Sequence, residues 1–176
     1  MKVAEHDRKP LPDGRSHRVA VVSAAFYSTL AAWLEDGARR ALDACNVAPK
    51  ARTFLRVAGC FELPLAAARL IDTGRFDAVV ALGVVVRGET PHFDYVAGEC
   101  ARGIMDVQLT TRIPVGFGVL TTDTLAQAEE RADPARGDKG FSATLAAVGM
   151  CAELPPAGAR VASRDNSEAH SQPPSA

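Results

Sequence analysis

Residues 78–96 read AVVALGVVVRGETPHFDYV. The run from Ala78 to Val86 is apolar, rich in β-branched valine and interrupted only by Gly83. A short continuous run of this kind fits a strand buried on both faces, as in a parallel sheet covered by helices. The character then changes at once: Arg87, Gly88, Glu89, Thr90, Pro91 and His92 are polar or turn-forming. In open α/β sheets, ligands bind just outside the carboxyl ends of the strands. A strand that ends in RGETPH therefore sets a cation, a flexible backbone and an imidazole where binding chemistry is expected. The plainer reading of the same residues is a central strand followed by a solvated loop, and the stretch alone leaves both open.

The segments on either side have matching signals. Upstream, Arg18 to Ser23 (RVAVVS) reads as a first strand. Beyond its end, Phe26 fits either a core position or a stacking platform for a flat ligand. From Thr29 to Cys45, Leu30, Trp33, Leu34, Ala38, Ala41, Leu42 and Cys45 recur at spacings of three and four, one face of an amphipathic helix. Ser28 or Thr29 suits its N-cap, and Asn46 and Pro49 end it. Arg52 to Val57 reads as a second strand, followed by the turn Ala58–Glu62 and a helix to about Gly74. Pro64 stands near that helix's first turn, where its missing N–H costs nothing. Glu62 is favoured there by the helix dipole, which by itself is reason enough for a carboxylate.

Downstream, Asp94 to about Gln108 reads as a helix with Val96, Cys100, Gly103, Ile104 and Val107 inward. Pro114 to Leu120 is the fourth strand, and its Gly116-x-Gly118 lacks the third glycine of a dinucleotide fingerprint. Thr124 and Gln127 fit a capping box for a helix that ends near Arg131, where an arginine suits the dipole. Lys139 and Gly140 open a last helix with Phe141, Leu145 and Val148 inward. Four strand–helix alternations call for a parallel sheet with helices on both faces and right-handed crossovers.

Composition bounds the function classes. At 176 residues the chain fits one domain, and with 47% hydrophobic residues and a formal net charge of −1 it has no electrostatic footprint for nucleic acid. Cys45, Cys60, Cys100 and Cys151 are widely spaced, without a CxxC pair or a Cys/His cluster of metal-binding spacing. Reduced thiols in a cytoplasmic protein are the expectation. The opening MKVAEHDRKPLPDGRSH is charged and lacks the apolar core of a signal peptide. No apolar run approaches the roughly 18–20 residues of a membrane span. Residues 1–16, with Pro10, Pro12 and Gly14 among many charges, read as a flexible arm. Residues 155–176, rich in proline, serine and charge and including His170, read as a disordered tail.

Four blocks carry a resemblance to a known family: GCFELP at 59–64, ALGVVVRGETPHFDYV at 81–96, GVLTTDTLAQAEER at 118–131 and DKG at 138–140. In content and order they resemble the 6,7-dimethyl-8-ribityllumazine synthases of riboflavin synthesis, over roughly residues 17–152. The resemblance implies a three-layer α/β/α sandwich in residues 17–154, similar to flavodoxin, with a four-stranded parallel sheet in the order 2-1-3-4. The pattern of the sequence alone does not supply that order. The implied reaction joins 5-amino-6-(D-ribitylamino)uracil to 3,4-dihydroxy-2-butanone 4-phosphate, giving 6,7-dimethyl-8-ribityllumazine, phosphate and water. Imine formation, phosphate elimination and ring closure all move protons and call for no cofactor and no metal.

Within that reaction His92 is the expected general acid/base, because imidazole alone titrates near operating pH unperturbed. The resemblance implies that Phe26 stacks on the pyrimidine and that Val84, Val85 and Val86 line the site. It also implies that the backbones of Cys60 and Phe61, with the Glu62 region, hold the ribityl chain and ring. Gly88, Glu89 and Thr90 fit an anion-binding nest of backbone amides for the phosphate, with the Glu89 carboxylate turned outward. Arg131 offers a planar fork for phosphate oxygens. Active sites in the family lie between subunits of a pentamer, so Phe117, Arg131 and Lys139 are expected to serve across an interface. The link ADPARGD (132–138) carries no insertion of the kind that props pentamers apart, which favours a 60-subunit shell over a free pentamer. The resemblance also admits association with a riboflavin synthase. Two competing readings are a lumazine- or flavin-binding module without catalysis and a shell-forming structural protein.

Overall fold

The computed structural model describes residues 10–154. Residues 1–9 of the arm and the tail from 155 on, His170 included, lie outside the described residues. Four strands, β1 (Val19–Ala24), β2 (Arg52–Val57), β3 (Ala78–Val86) and β4 (Val115–Thr122), pair in parallel in the order β2-β1-β3-β4. Five α-helices connect and follow them: α1 (Ser28–Ala44), α2 (Leu63–Asp72), α3 (His92–Thr111), α4 (Leu125–Ala132) and α5 (Lys139–Glu153). This is the parallel sheet, in the order 2-1-3-4, that the sequence and its resemblance led one to expect.

The two central strands explain the valine-rich runs. Alternate residues of a strand face opposite sides of a sheet. Val19, Val21, Ala78, Val80 and Leu82 pack under α1, α4 and α5, while Ala20, Val22, Val79 and Ala81 pack under α2 and α3. Every β1 residue, and β3 up to Val85, is buried. A strand covered on both faces has no polar position until its end. The outer strand β2 is only half-buried to exposed.

Three local features differ from the expectations. First, α1 has no side-chain cap: Tyr27 is the N-cap, and Ser28 and Thr29 already lie within the helix. Its other end does stop at Asn46, which takes the left-handed conformation at φ 60°. Second, α3 starts at His92, two residues before the expected Asp94. Pro91 precedes it at φ −63°, already helical, so the helix begins directly after the ring. It also runs past Gln108, ending where Arg112 turns left-handed at φ 59°. Third, α5 turns Ala143, Thr144, Ala147 and Val148 inward, and Phe141 and Leu145 are left half-buried. The cause is the close crossing of α1 and α5. Gly37 lies so near α5 that a Cβ there would stand 2.7 Å from the Phe141 nitrogen, and one at Gly140 would run into the Leu34 carbonyl. Helices this close present small side chains to each other, and the large ones move to the flank.

Below the carboxyl end of β1 lies a buried carboxylate that the periodicity did not single out. Glu35 of α1 is 8% exposed and accepts hydrogen bonds from the Ser23 hydroxyl and from Arg56, whose Nε and Nη2 approach its two oxygens at 2.7 and 2.9 Å. Burial pushes its pKa up, but the bonds from Arg56 and Ser23 together outweigh burial and hold it below the ordinary carboxylate value. The network joins α1, β1 and β2. The described end of the arm is also anchored. Gly14 is buried, its N–H donates to the Cys45 carbonyl at 2.6 Å, and a Cβ there would stand 2.5 Å from Val47.

The α1–α5 crossing generates a stability prediction. Gly140→Ala overpacks it and lowers unfolding stability by about 1–3 kcal/mol or more. Gly149→Ala, on the same helix with only Pro12 at 4.0 Å, gains helix propensity instead, by roughly 0.5–1 kcal/mol. Denaturant midpoints of the two variants against the parent, read by circular dichroism, separate in opposite directions.

Candidate active site

A cleft of about 580 Å³ opens at the carboxyl ends of β1 and β3. Its floor is the end of β3: Val84, Val85 and Val86. One wall is Phe26 and Tyr27 from the β1–α1 turn. The second is the turn Gly59–Glu62 that leads into α2, and the third is the loop through Gly88 and Thr90 with the first turn of α3. Of the residues expected in the site, Phe26, Cys60, Phe61, Glu62, Val84, Val85, Val86, Gly88, Thr90 and His92 come together here. Glu89 is exposed beside the cleft, and Phe117, Arg131 and Lys139 do not line it.

Each wall has a local cause. Phe26 is 77% exposed although it directly follows the buried strand β1, so it is not a core residue. Its ring meets Tyr27 edge-on, centroids 5.1 Å apart. On the second wall, the Glu62 carboxylate accepts the Gly59 N–H at 2.9 Å and closes the turn in the manner of a capping box. Glu62 therefore shapes the turn as well as lining the cleft. The Cys60 thiol is buried 3.6 Å from the Val84 carbonyl, and burial pushes its pKa up to about 11. A Cβ on Gly83 would stand 2.5 Å from the Cys60 sulfur. The single break in the valine run is thus the space that the thiol fills.

The third wall continues the sheet for one residue. The Arg87 N–H donates to the Thr122 carbonyl at 2.9 Å, after which Gly88 leaves the ladder with open space around it. Asp94 N–H closes back on the Pro91 carbonyl at 2.9 Å, and His92 opens α3 facing the cleft. The sequence reading missed Tyr27, Gly59, Phe93, Tyr95 and Val96, which also line it. A signal existed for two of them. Residues three and four apart share a helix face, so a helix starting at His92 brings Tyr95 and Val96 to the imidazole's side. Placing the helix start at Asp94 hid that.

The remaining expected residues lie on other elements. Phe117 is on β4, 45% exposed, and by strand alternation shares the α2/α3 face with Val115 and Val119. Arg131 ends α4 and turns Nη1 back to the Gln127 carbonyl at 2.9 Å. Lys139 begins α5 just after Asp138, a left-handed residue at φ 41° whose carboxylate is held by Arg40 at 2.8 and 2.9 Å.

The cleft offers apolar and aromatic surfaces for a flat ring, free backbone amides beside a glycine, and one imidazole. That set can hold a heterocycle and an anionic group and move protons between them. The family described as 6,7-dimethyl-8-ribityllumazine synthase matches residues 16–154. A protein of Kineococcus radiotolerans named 6,7-dimethyl-8-ribityllumazine synthase is 54% identical over 138 residues, which cover 77% of this chain and 84% of that relative.

The thiols give a chemical check on the site. With its pKa raised to about 11, Cys60 has on the order of a thousandth of its population as thiolate at pH 8. Iodoacetamide in that buffer is expected to label Cys60 far more slowly than free cysteine, with the rate climbing as pH approaches 11. Peptide mass spectrometry of timed samples reads it.

Proposed function

The chain belongs to the 6,7-dimethyl-8-ribityllumazine synthase family, and we propose that the cleft at the end of β3 is where it condenses 5-amino-6-(D-ribitylamino)uracil with 3,4-dihydroxy-2-butanone 4-phosphate. It is a transferase of riboflavin biosynthesis. The observation that carries the site assignment is the imidazole of His92 on the first turn of α3, opening into the same cleft as Phe26, the Cys60–Glu62 turn and Gly88.

In this reading the pyrimidine ring lies against Phe26 and the valine floor, with its ribityl chain along the Cys60–Glu62 turn. The phosphate of the ketone is held by the amides of Gly88, Glu89 and Thr90. The pyrimidine amine attacks the ketone carbonyl and water leaves, giving an imine. Phosphate is then eliminated, the enol left behind becomes a ketone, and the ribityl-bearing amine adds to that carbonyl, whose oxygen leaves as a second water when the ring closes. His92 takes and returns the protons of these steps from a position beside both partners.

Phe117, Arg131 and Lys139 are absent from the lining of the cleft in their own chain. We read them as supplied to a neighbouring copy's cleft, Arg131 as a phosphate ligand. Exposed apolar side chains on the helices that cover the Phe117 side of the sheet, Leu65 of α2 and Tyr95, Met105 and Leu109 of α3, support burial of that side against another subunit. A heterologous contact that closes makes a ring. A pentamer is the assembly this reading adopts, with the uninterrupted 132–138 link favouring the 60-subunit shell. A cytoplasmic location, and an association with riboflavin synthase, complete it. Among the described residues no helix is long and apolar enough to cross a membrane.

Two measurements test this. His92→Ala is expected to lower turnover by roughly 10²–10⁴-fold while the protein remains folded; a folded variant with the parent's turnover removes His92 from the chemistry. Sedimentation velocity tests the assembly. From the 18.5 kDa chain a pentamer weighs about 5 × 18.5 ≈ 93 kDa and a shell about 60 × 18.5 ≈ 1,110 kDa. A monomer in solution would exclude a shared site.

A further inference from the structure

Arg87 follows the last residue of β3, and its side chain is held on three sides. Nε lies 3.1 Å from Asp123 Oδ1, Nη1 lies 3.1 Å from Asp94 Oδ1, and the guanidinium carbon stands 4.1 Å above the Phe93 ring. These partners come from two other elements. Asp94 is in the first turn of α3, two residues after His92, and Phe93 lines the cleft. Asp123 precedes Thr124, the N-cap of α4, and its N–H is held by the Gln127 side chain at 3.1 Å. One cation thus stands where the RGET loop, the turn bearing His92 and the start of the helix bearing Arg131 meet.

We infer that Arg87 is a positioning residue for the phosphorylated substrate, acting through Asp94 and Asp123, whose charges it masks at the rim of the cleft. The inference rests on the assignment of the Gly88–Thr90 loop to the phosphate. With Arg87 in place, the two carboxylates and the guanidinium sum to one negative charge; without it they sum to two. A phosphate dianion approaching the next residues in the chain doubles each repulsion. Guanidinium remains protonated at any operating pH, so the masking is permanent. Exposed ion pairs of this kind contribute little to stability, so the main consequence of losing Arg87 falls on an anionic ligand. The cation–π contact adds direction: it holds the guanidinium over Phe93, which lines the cleft.

Steady-state kinetics with each substrate varied in turn tests this, on folded protein with all variants in the full chain. Arg87→Met is expected to raise KM for the phosphorylated ketone on the order of 10-fold and to move KM for the pyrimidine by less than about twofold. Adding D94N and D123N to that variant is expected to bring the first KM most of the way back. An equal rise in both KM values, or no recovery in the triple variant, overturns the inference. Should Arg87→Met fail to fold, D94N/D123N with Arg87 intact carries the test. There the bare cation lowers KM for the ketone, and an unchanged or higher value overturns the role. Arg131→Ala and His92→Ala serve as references. If neither alters the kinetics, the site assignment itself fails; if Arg131→Ala raises the ketone KM and Arg87→Met does not, only the role of Arg87 fails.

Discussion

The burial of β3 on both faces constrains everything else in the fold. A strand sandwiched between α1, α4 and α5 on one side and α2 and α3 on the other has no place along its length for an unpaired polar side chain. Chemistry is therefore pushed to its carboxyl end, where the valine floor gives way to Arg87 and Gly88. The neighbouring strands deliver their own turns to the same level. β1 brings Phe26, β2 brings the Gly59–Glu62 turn, and β4 brings Asp123. A parallel sheet makes this convergence automatic, because all carboxyl ends lie on one edge.

Charged groups tie the elements to one another. Glu35 ties β1 to β2 through Ser23 and Arg56, Glu62 closes its own turn on Gly59, and Arg40 fixes Asp138 ahead of Lys139. Each is a long-range or turn-closing contact, while the cleft itself is mostly apolar. A rigid rim with a greasy floor suits a reaction whose difficulty lies in aligning two substrates rather than in activating either one.

Much of this was legible in the sequence, for reasons that differ by element. The β3 run and the change at RGETPH are local signals, the resemblance supplied the strand order, and two of its blocks, 59–64 and 81–96, hold most of the residues that line the cleft. What was hidden depended on contacts across the chain. Phe141 and Leu145 have the right spacing for an inward face, but Gly37 and Gly140 bring α1 too close to admit them. The start of α3 was misplaced because Pro91 reads equally as a loop residue or as the cap of a helix. Glu35 falls on the inner side of α1, yet no periodicity announces that Ser23 and Arg56 will meet it there. Phe117, Arg131 and Lys139, expected to serve across an interface, lie outside the cleft of their own chain.

The contact between Gly83 and Cys60 has a consequence for how such sequences vary. The sulfur occupies the volume that a side chain at position 83 would need, so the two positions, twenty-three residues apart, share one space. Neither can be read as an independent letter. A larger residue in the middle of the central strand is admissible only where its counterpart at the head of the α2 turn shrinks, and a bulkier head residue demands the bare glycine. In an alignment the pair would change as a unit, linking the floor of the cleft to its wall.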